Sequence, residues 1–273
     1  MSARGDGGRG RDGMNGDRLQ FTYIGGPTAL LELGGVRILT DPTFDPAGES
    51  YPTPAYTLRK TTGPALAAAE LGPIDAVLLS HDHHSDNLDR AGRAALASAG
   101  TILTTTAGAG RLGGRAVGLA PWQTVELRAG NGRVVHVTGT PARHGPAGGD
   151  RGPVTGFVLR RAGQTTGGVY ISGDTVWYEG VAETARRFPV RVVVLFMGAA
   201  RVPEVGPANL TFTAGEAVEA ARAFREATIV PAHYEGWAHY SESQDTIERS
   251  FVRAGLQDRL RFVAAGAMQE FAA

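Results

Sequence analysis

Apolar and polar residues alternate through RLQFTYI, TALLEL and VRILT, the first patterned stretches of the chain. A period of two marks strands with one buried face. It predicts strands over 18–24, 28–34 and 36–40, with Gly25-Gly26-Pro27 and Gly34-Gly35 as turns. Residues 45–63 are polar and Pro-rich and read as a loop, followed by a short helix near 64–70 and a buried strand over 74–80. A helix over 87–99, capped by Asp86 or Asn87, precedes a strand at 102–105. Strands recur at 122–128, 133–139, 154–160 and 168–172, then a helix near 178–187 and a strand over 190–196. Thr213 and Glu216 have capping-box spacing and open a helix over 214–225. A strand at 227–231, a helix at 243–254 and a strand at 260–264 complete the pattern. Each half is rich in strands and ends in helices. That order predicts two sheets packed face to face with helices outside, an α/β (α+β) architecture, rather than one doubly wound parallel sheet.

Composition narrows the chemistry. The chain of 273 residues holds 39 Gly and 15 Pro, which suits many short elements joined by tight turns. Its formal net charge of +0 gives no electrostatic case for nucleic acid. No apolar run approaches a membrane span, so no membrane anchor is expected. Cysteine is absent, which excludes disulfides, thiolate metal sites and cysteine nucleophiles. The Gly-rich residues 1–17 lack the apolar core of a signal peptide and read as a disordered lead-in to one domain over 18–273. Cytoplasmic location, a small-molecule substrate and compatibility with a homo-oligomer are the matching expectations.

Seven histidines remain to be explained: His81, His83, His84, His136, His144, His233 and His239. All but His136 fall after a predicted strand or in the loop that follows it, where a rigid scaffold displays chemistry. If the chain stays extended past Ser80, His81 and His83 point the same way and can share one cation, with His84 turned elsewhere. Asp86 is close enough to reach a second cation. Asp174, at the strand end YISGDT, can bridge the two, and His144 and His233 again lie just past strands. Asp82 and Asp89 read as supporting or capping residues, and Asp41 as similar or as closing a turn. His239 is either a general acid or substrate contact, or a hydrogen-bonded loop histidine. Arg111, Arg143 and Arg201 are candidate anion contacts without special spacing.

The stretches ALLELGGVRILTDPTF, DAVLLSHDHHSDNLD, TPARHGP, YISGDT and VPAHYEGWAH together resemble the metallo-β-lactamase superfamily. They look most like the branch with L-ascorbate-6-phosphate lactonase and N-acylphosphatidylethanolamine-hydrolysing phospholipase D. The resemblance implies a four-layer αββα sandwich with a metal site at one edge between the sheets. It implies His81, His83 and His144 as ligands of a first cation, Asp174 as the bridge, and Asp86 and His233 on a second. The family pattern H-x-H-x-D-H is disturbed here: His81-Asp82-His83-His84-Ser85-Asp86-Asn87 carries one residue more. Either Asn87 replaces a histidine ligand or His84 swings in to complete the second site. Two divalent ions are implied, zinc first, with manganese or iron as alternatives. The implied activity is hydrolysis of an ester, lactone, amide or phosphodiester by a metal-bound hydroxide, with Asp86 orienting it and shuttling its proton. A phosphodiesterase acting on phosphorylated or lipid-derived molecules, a di-iron redox protein and a non-catalytic metal-binding module are the competing readings.

Overall fold

The computed structural model describes residues 18–273, so the lead-in expected over 1–17 lies outside the described residues. In chain order the strands are β1 (Arg18–Gly25), β2 (Thr28–Leu33), β3 (Val36–Thr40), β4 (Ser50–Pro52), β5 (Thr57–Arg59), β6 (Ala76–Leu78), β7 (Thr101–Thr105) and β8 (Ala116–Leu119). The second group is β9 (Thr124–Arg128), β10 (Val134–Pro141), β11 (Thr155–Arg161), β12 (Val169–Ile171), β13 (Val192–Phe196), β14 (Thr228–Ala232) and β15 (Met268–Ala272). The helices are α1 (Arg90–Ala95), α2 (Thr106–Leu112), α3 (Glu179–Arg187), α4 (Ala214–Ala223) and α5 (Gln244–Arg253). One sheet runs β15-β1-β2-β3-β6-β7-β8, the other β14-β13-β12-β11-β10-β9, and β4-β5 form a separate hairpin.

The layers follow from which face each alternating residue takes. Val192, Val194 and Phe196 of β13 join Phe21, Leu31 and Ile38 of the first sheet in the core between the sheets. Their neighbours Val193 and Leu195 face the opposite way and pack under Val181, Ala217, Ala221, Ile247 and Phe251 of α3, α4 and α5. A third cluster joins Ile24, Leu30, Leu39, Val77 and Leu79 to Leu88 and Leu96 beside α1. A strand covered on both faces is apolar throughout, which is why VVVLF shows no alternation. The αββα sandwich is thus present. α4 opens as its sequence predicts: Glu216 N donates to Thr213 Oγ1 at 3.1 Å, and Thr213 N donates to Glu216 Oε2 at 2.9 Å.

Several elements differ from the sequence reading. The helix expected over 87–99 starts after Asp89, whose side chain accepts from Gly92 N, and breaks into a short 3-10 turn at Leu96–Ser98. The helix near 64–70 is only a 3-10 turn at Ala68–Glu70. The loop over 45–63 contains the β4-β5 hairpin, and α2 and β8 were not anticipated. The last strand is β15 rather than 260–264, because Met268 to Ala272 pair with β1 at the sheet edge.

One buried ion pair ties these parts together. Lys60 Nζ donates to Asp89 Oδ2 at 2.8 Å and to the Thr43 carbonyl at 3.0 Å. Asp89 also accepts from Phe44 N and Asp45 N. The lysine side chain is 3% exposed and the aspartate 0%. Removing one partner strands the other charge. Lys60→Ala is therefore expected to destabilise the chain by about 3–5 kcal/mol, read by urea unfolding; a change under about 1 kcal/mol would contradict the pairing.

Candidate metal centre

The chemistry-bearing loops follow the C-terminal ends of strands. Asp41 follows β3, Ser80 to Asp89 follow β6, His144 follows β10, Asp174 follows β12 and His233 follows β14. The two sheets meet at this edge, where Thr155 N donates to the Ser80 carbonyl at 3.1 Å.

Two groups of donors converge here: His81, His84 and His144, and Asp86, Asp174 and His233. In the first, His84 Nδ1 lies 2.9 Å from His81 Nε2 and 3.2 Å from His144 Nε2. Nitrogens about 2.0–2.1 Å from one tetrahedral zinc ion stand about 3.3 Å apart, so the spacing suits a shared cation. The outer ring atoms fix the tautomers. Ser80 donates its hydroxyl to Asp41 Oδ1 at 2.7 Å, so His81 Nδ1, 2.9 Å from Ser80 Oγ, must supply the proton of that contact. His144 Nδ1 lies 2.8 Å from the Leu210 carbonyl, which can only accept. Both Nε2 atoms therefore turn bare lone pairs inward.

In the second group, His233 Nε2 lies 3.3 Å from Asp174 Oδ1 and 3.7 Å from Asp86 Oδ2. Asp174 spans the two groups. Its Oδ2 lies 3.5 Å from His144 Nε2 and, though buried, has no hydrogen-bond partner. An ionised, buried oxygen without a donor is costly unless a cation completes it. Burial lowers the pKa of His81, and lowers that of His84 to about 3, with His84 and His144 respectively adding like-charge repulsion. Burial pushes Asp86 and Asp174 up, but His239 beside Asp86 and His233 beside Asp174 outweigh it and hold both carboxyls low. Burial likewise opposes charge on His233, yet Asp174 and then Asp86 raise its pKa. Lowered pKa values at His81 and His84 and at Asp86 and Asp174 favour the neutral imidazoles and ionised carboxylates that divalent ions require, whereas a cation would have to displace a proton from His233.

The structure departs from expectation at His83. Its Nε2 donates to the Arg151 carbonyl at 2.9 Å, and it belongs to neither group. His84 stands where His83 was expected, with His81 and His144 rather than with the second group. The reason is local. The chain does not stay extended after Ser80; it bends at Asp82-His83 and turns over 85–87, with Leu88 N donating to the His84 carbonyl at 3.0 Å. The bend at Asp82-His83 lets the His81 and His84 rings meet, 2.9 Å between Nε2 and Nδ1. Asn87 stands outside both groups and donates Nδ2 to Asp174 Oδ1 at 3.3 Å.

His239 Nε2 donates to Asp86 Oδ2 at 3.1 Å, and its Nδ1 is buried without a partner. Asp82 accepts from Arg111 Nε at 2.9 Å, Arg143 lies over the Tyr178 ring at 4.5 Å, and His136 lies 3.5 Å from Glu126 on the second sheet. Three orienting groups escaped the sequence reading: Ser80, the Leu210 carbonyl and the Tyr240 hydroxyl, which lies 2.6 Å from His233 Nδ1. Only Ser80, next to His81, left a local signal. His233 itself adopts φ 54, a left-handed conformation uncommon for a side-chain-bearing residue and typical of sites where geometry is enforced.

Residues 36–234 match the family model described as Beta-lactamase superfamily domain. The chain belongs to the metallo-β-lactamase superfamily. Over 72 residues it is 39% identical to an uncharacterized protein of Mycobacterium tuberculosis, a stretch making up 26% of this chain and 18% of that one. It is 25% identical over 223 residues to a metal-dependent hydrolase of Pyrobaculum aerophilum, covering 79% of this chain and 84% of the relative. An isothiocyanate hydrolase from Delia radicum gut bacteria shares the fold with TM-score 0.79 at 23% identity, over 93% of this chain and 100% of that one. A possible metal-dependent hydrolase from Veillonella parvula gives TM-score 0.76 at 19% identity, over 93% and 99%. Among the described residues no helix of this superfamily member is long and apolar enough to cross a membrane.

Proposed function

We propose that the protein is a metal-dependent hydrolase of a small molecule, cleaving an ester, lactone, amide or phosphodiester bond with two divalent cations, zinc the first candidate. The observation that carries this reading is Asp174, whose two oxygens face two separate donor groups. His81, His84 and His144 would hold one cation, Asp86 and His233 the other, and Asp174 both. Such ions supply Lewis acidity towards the scissile group and acidify water towards neutral pH. The chain's own residues do the rest. Ser80, the Leu210 carbonyl and Tyr240 orient the ligand rings. Asp86 orients the attacking water and accepts its proton; His239, hydrogen-bonded to Asp86, returns a proton to the leaving group. The lactonase-like branch suggested by the sequence sits within this reading and rests on those stretches alone.

The test is turnover of ester, lactone, amide and phosphodiester panels by zinc- or manganese-replete protein, lost on chelation and restored by metal. No turnover on any panel would refute it. Within it, His239→Ala should lower kcat by about 10²–10⁴-fold while bound metal stays constant by elemental analysis. An unchanged kcat would reduce His239 to a loop contact.

A further inference from the structure

The two donor groups are not equivalent. His81, His84 and His144 bring three imidazoles to the first, and Asp174 Oδ2, 3.5 Å from His144 Nε2, adds a fourth donor. Four such donors close a tetrahedron around zinc. The second group holds three: Asp86, Asp174 and His233. Two of those are carboxylates, and one position stays open to water.

The residue next to Asp86 accounts for the difference. Asn87 is 0% exposed, and its Nδ2 donates to Asp174 Oδ1 at 3.3 Å and to Ser80 Oγ at 3.4 Å. That same Asp174 oxygen lies 3.3 Å from His233 Nε2. At this place a ligand would present a lone pair, whereas Asn87 presents an N–H. The hydrogen bond takes up one lone pair of the carboxylate oxygen and gives a cation nothing in return. Asn87 Oδ1 is buried with no partner, so the side chain's hydrogen bonds all go to the centre.

We infer that Asn87 makes the two cation sites unequal: the Asp86, Asp174 and His233 site holds zinc more loosely than the three-histidine site and is the one that admits manganese. A closed, nitrogen-rich set favours zinc, while carboxylates and water suit the harder ion. The inference rests on the two-cation reading and narrows it to one tightly held zinc and one exchangeable ion. It also names the residue that selects. A histidine Nδ1 stands one bond beyond Cγ, as an asparagine Nδ2 does. In place of Asn87 it can occupy the same spot, 3.3 Å from Asp174 Oδ1, a spacing that suits two ligands of one ion.

The test equilibrates zinc-saturated protein against buffers of falling free zinc, with and without excess manganese, and counts both metals per chain by elemental analysis. The parent should hold about two zinc ions at saturation and lose one at a free-zinc concentration at least about tenfold above that at which it loses the other. With manganese in excess it should keep about one zinc and take up about one manganese. Asp86→Ala should retain the tight zinc and take up no manganese, which assigns the exchangeable ion to the second group. Asn87→His should bring the two zinc losses together and raise the manganese excess needed by at least about tenfold. Asn87→Ala, which adds no ligand, should keep the losses apart. Asn87→Asp has the shape of the parent side chain and adds an oxygen donor, so it should narrow the zinc gap while manganese uptake persists; it decides if the histidine variant does not fold. Two zinc ions leaving the parent together, or an unchanged gap in folded Asn87→His, would overturn the inference and leave the two-cation centre intact. A parent holding about one ion at saturation would refute the centre itself, and the inference with it.

Discussion

Asp174→Asn is expected to lower hydrolytic turnover by about a thousandfold or more and to reduce bound metal by at least about one ion per chain. The expectation follows from the geometry of one carboxylate. Asp174 is 1% exposed, and its oxygens lie 3.5 Å from His144 Nε2 and 3.3 Å from His233 Nε2. An amide keeps the shape but offers one neutral oxygen, so it cannot serve two cations. It also removes the charge that raises the pKa of His233. The substitution should leave the fold in place, because Asn fits the same space and its NH₂ can face the neighbouring imidazoles. Far-ultraviolet circular dichroism, elemental analysis and ester turnover on one preparation check all three statements. Full metal content with full turnover would remove Asp174 from the centre.

Acid should loosen the metal-free protein, with a slope set by buried histidines of the site and opposed by Asp41. The unfolded chain protonates its histidines near pH 6.5, whereas burial keeps native His81 neutral well below that and His84 neutral to about 3. Between those values the unfolded state binds more protons, so stability falls as pH falls. Asp41 opposes this. Burial lifts its pKa to about 8, so native Asp41 holds a proton that the unfolded chain lacks above about pH 4, and this contribution grows as pH falls. The raised pKa of His233 adds stability already present below pH 6.5. Burial also lowers the pKa of His83, so the histidine losses outnumber the one aspartate gain and stability falls as pH falls below 6.5. Asp86 and Asp174, held low, add a further loss only below about pH 4. Urea unfolding of chelated protein across this range measures the slope. His84→Gln should reduce it by removing one histidine contribution; a parent slope of zero or opposite sign would contradict the burial of the histidine cluster.

The sequence was most informative where a period is enforced by burial on one face. RLQFTYI alternates because β1 buries alternate residues over most of its length, and Thr213 with Glu216 announces the start of α4 through a purely local contact. It was least informative where distant pairing decides. MQEFA becomes β15 because Phe271 meets Leu19, far away in the chain, while the more apolar RFVAA beside it does not extend the sheet. α2 and β8 are built from TTTAGAGRLGGRAVGL, whose small residues blur any apolar period. Gly118 in β8 has a reason visible only in three dimensions: a Cβ there would stand 2.6 Å from Thr106 Cα of α2. The same limit applies at the metal centre. Residue types and strand-end positions pointed to the loops in which the two donor groups converge, since six of the histidines follow strands. Which of His83 and His84 joins His81 and His144 depends on the bend at Asp82-His83, and the spacing H-x-H, read as extended chain, selects the other residue.

The central claim is that His81, His84 and His144 form the first half of a two-cation centre with His83 outside it. Metal content per chain, by elemental analysis of the parent, His83→Ala and His84→Ala proteins, tests it most directly. The account predicts about two ions in the parent and in His83→Ala, and about one fewer in His84→Ala. Loss of an ion in His83→Ala with full occupancy in His84→Ala would contradict it and restore the extended reading of the loop.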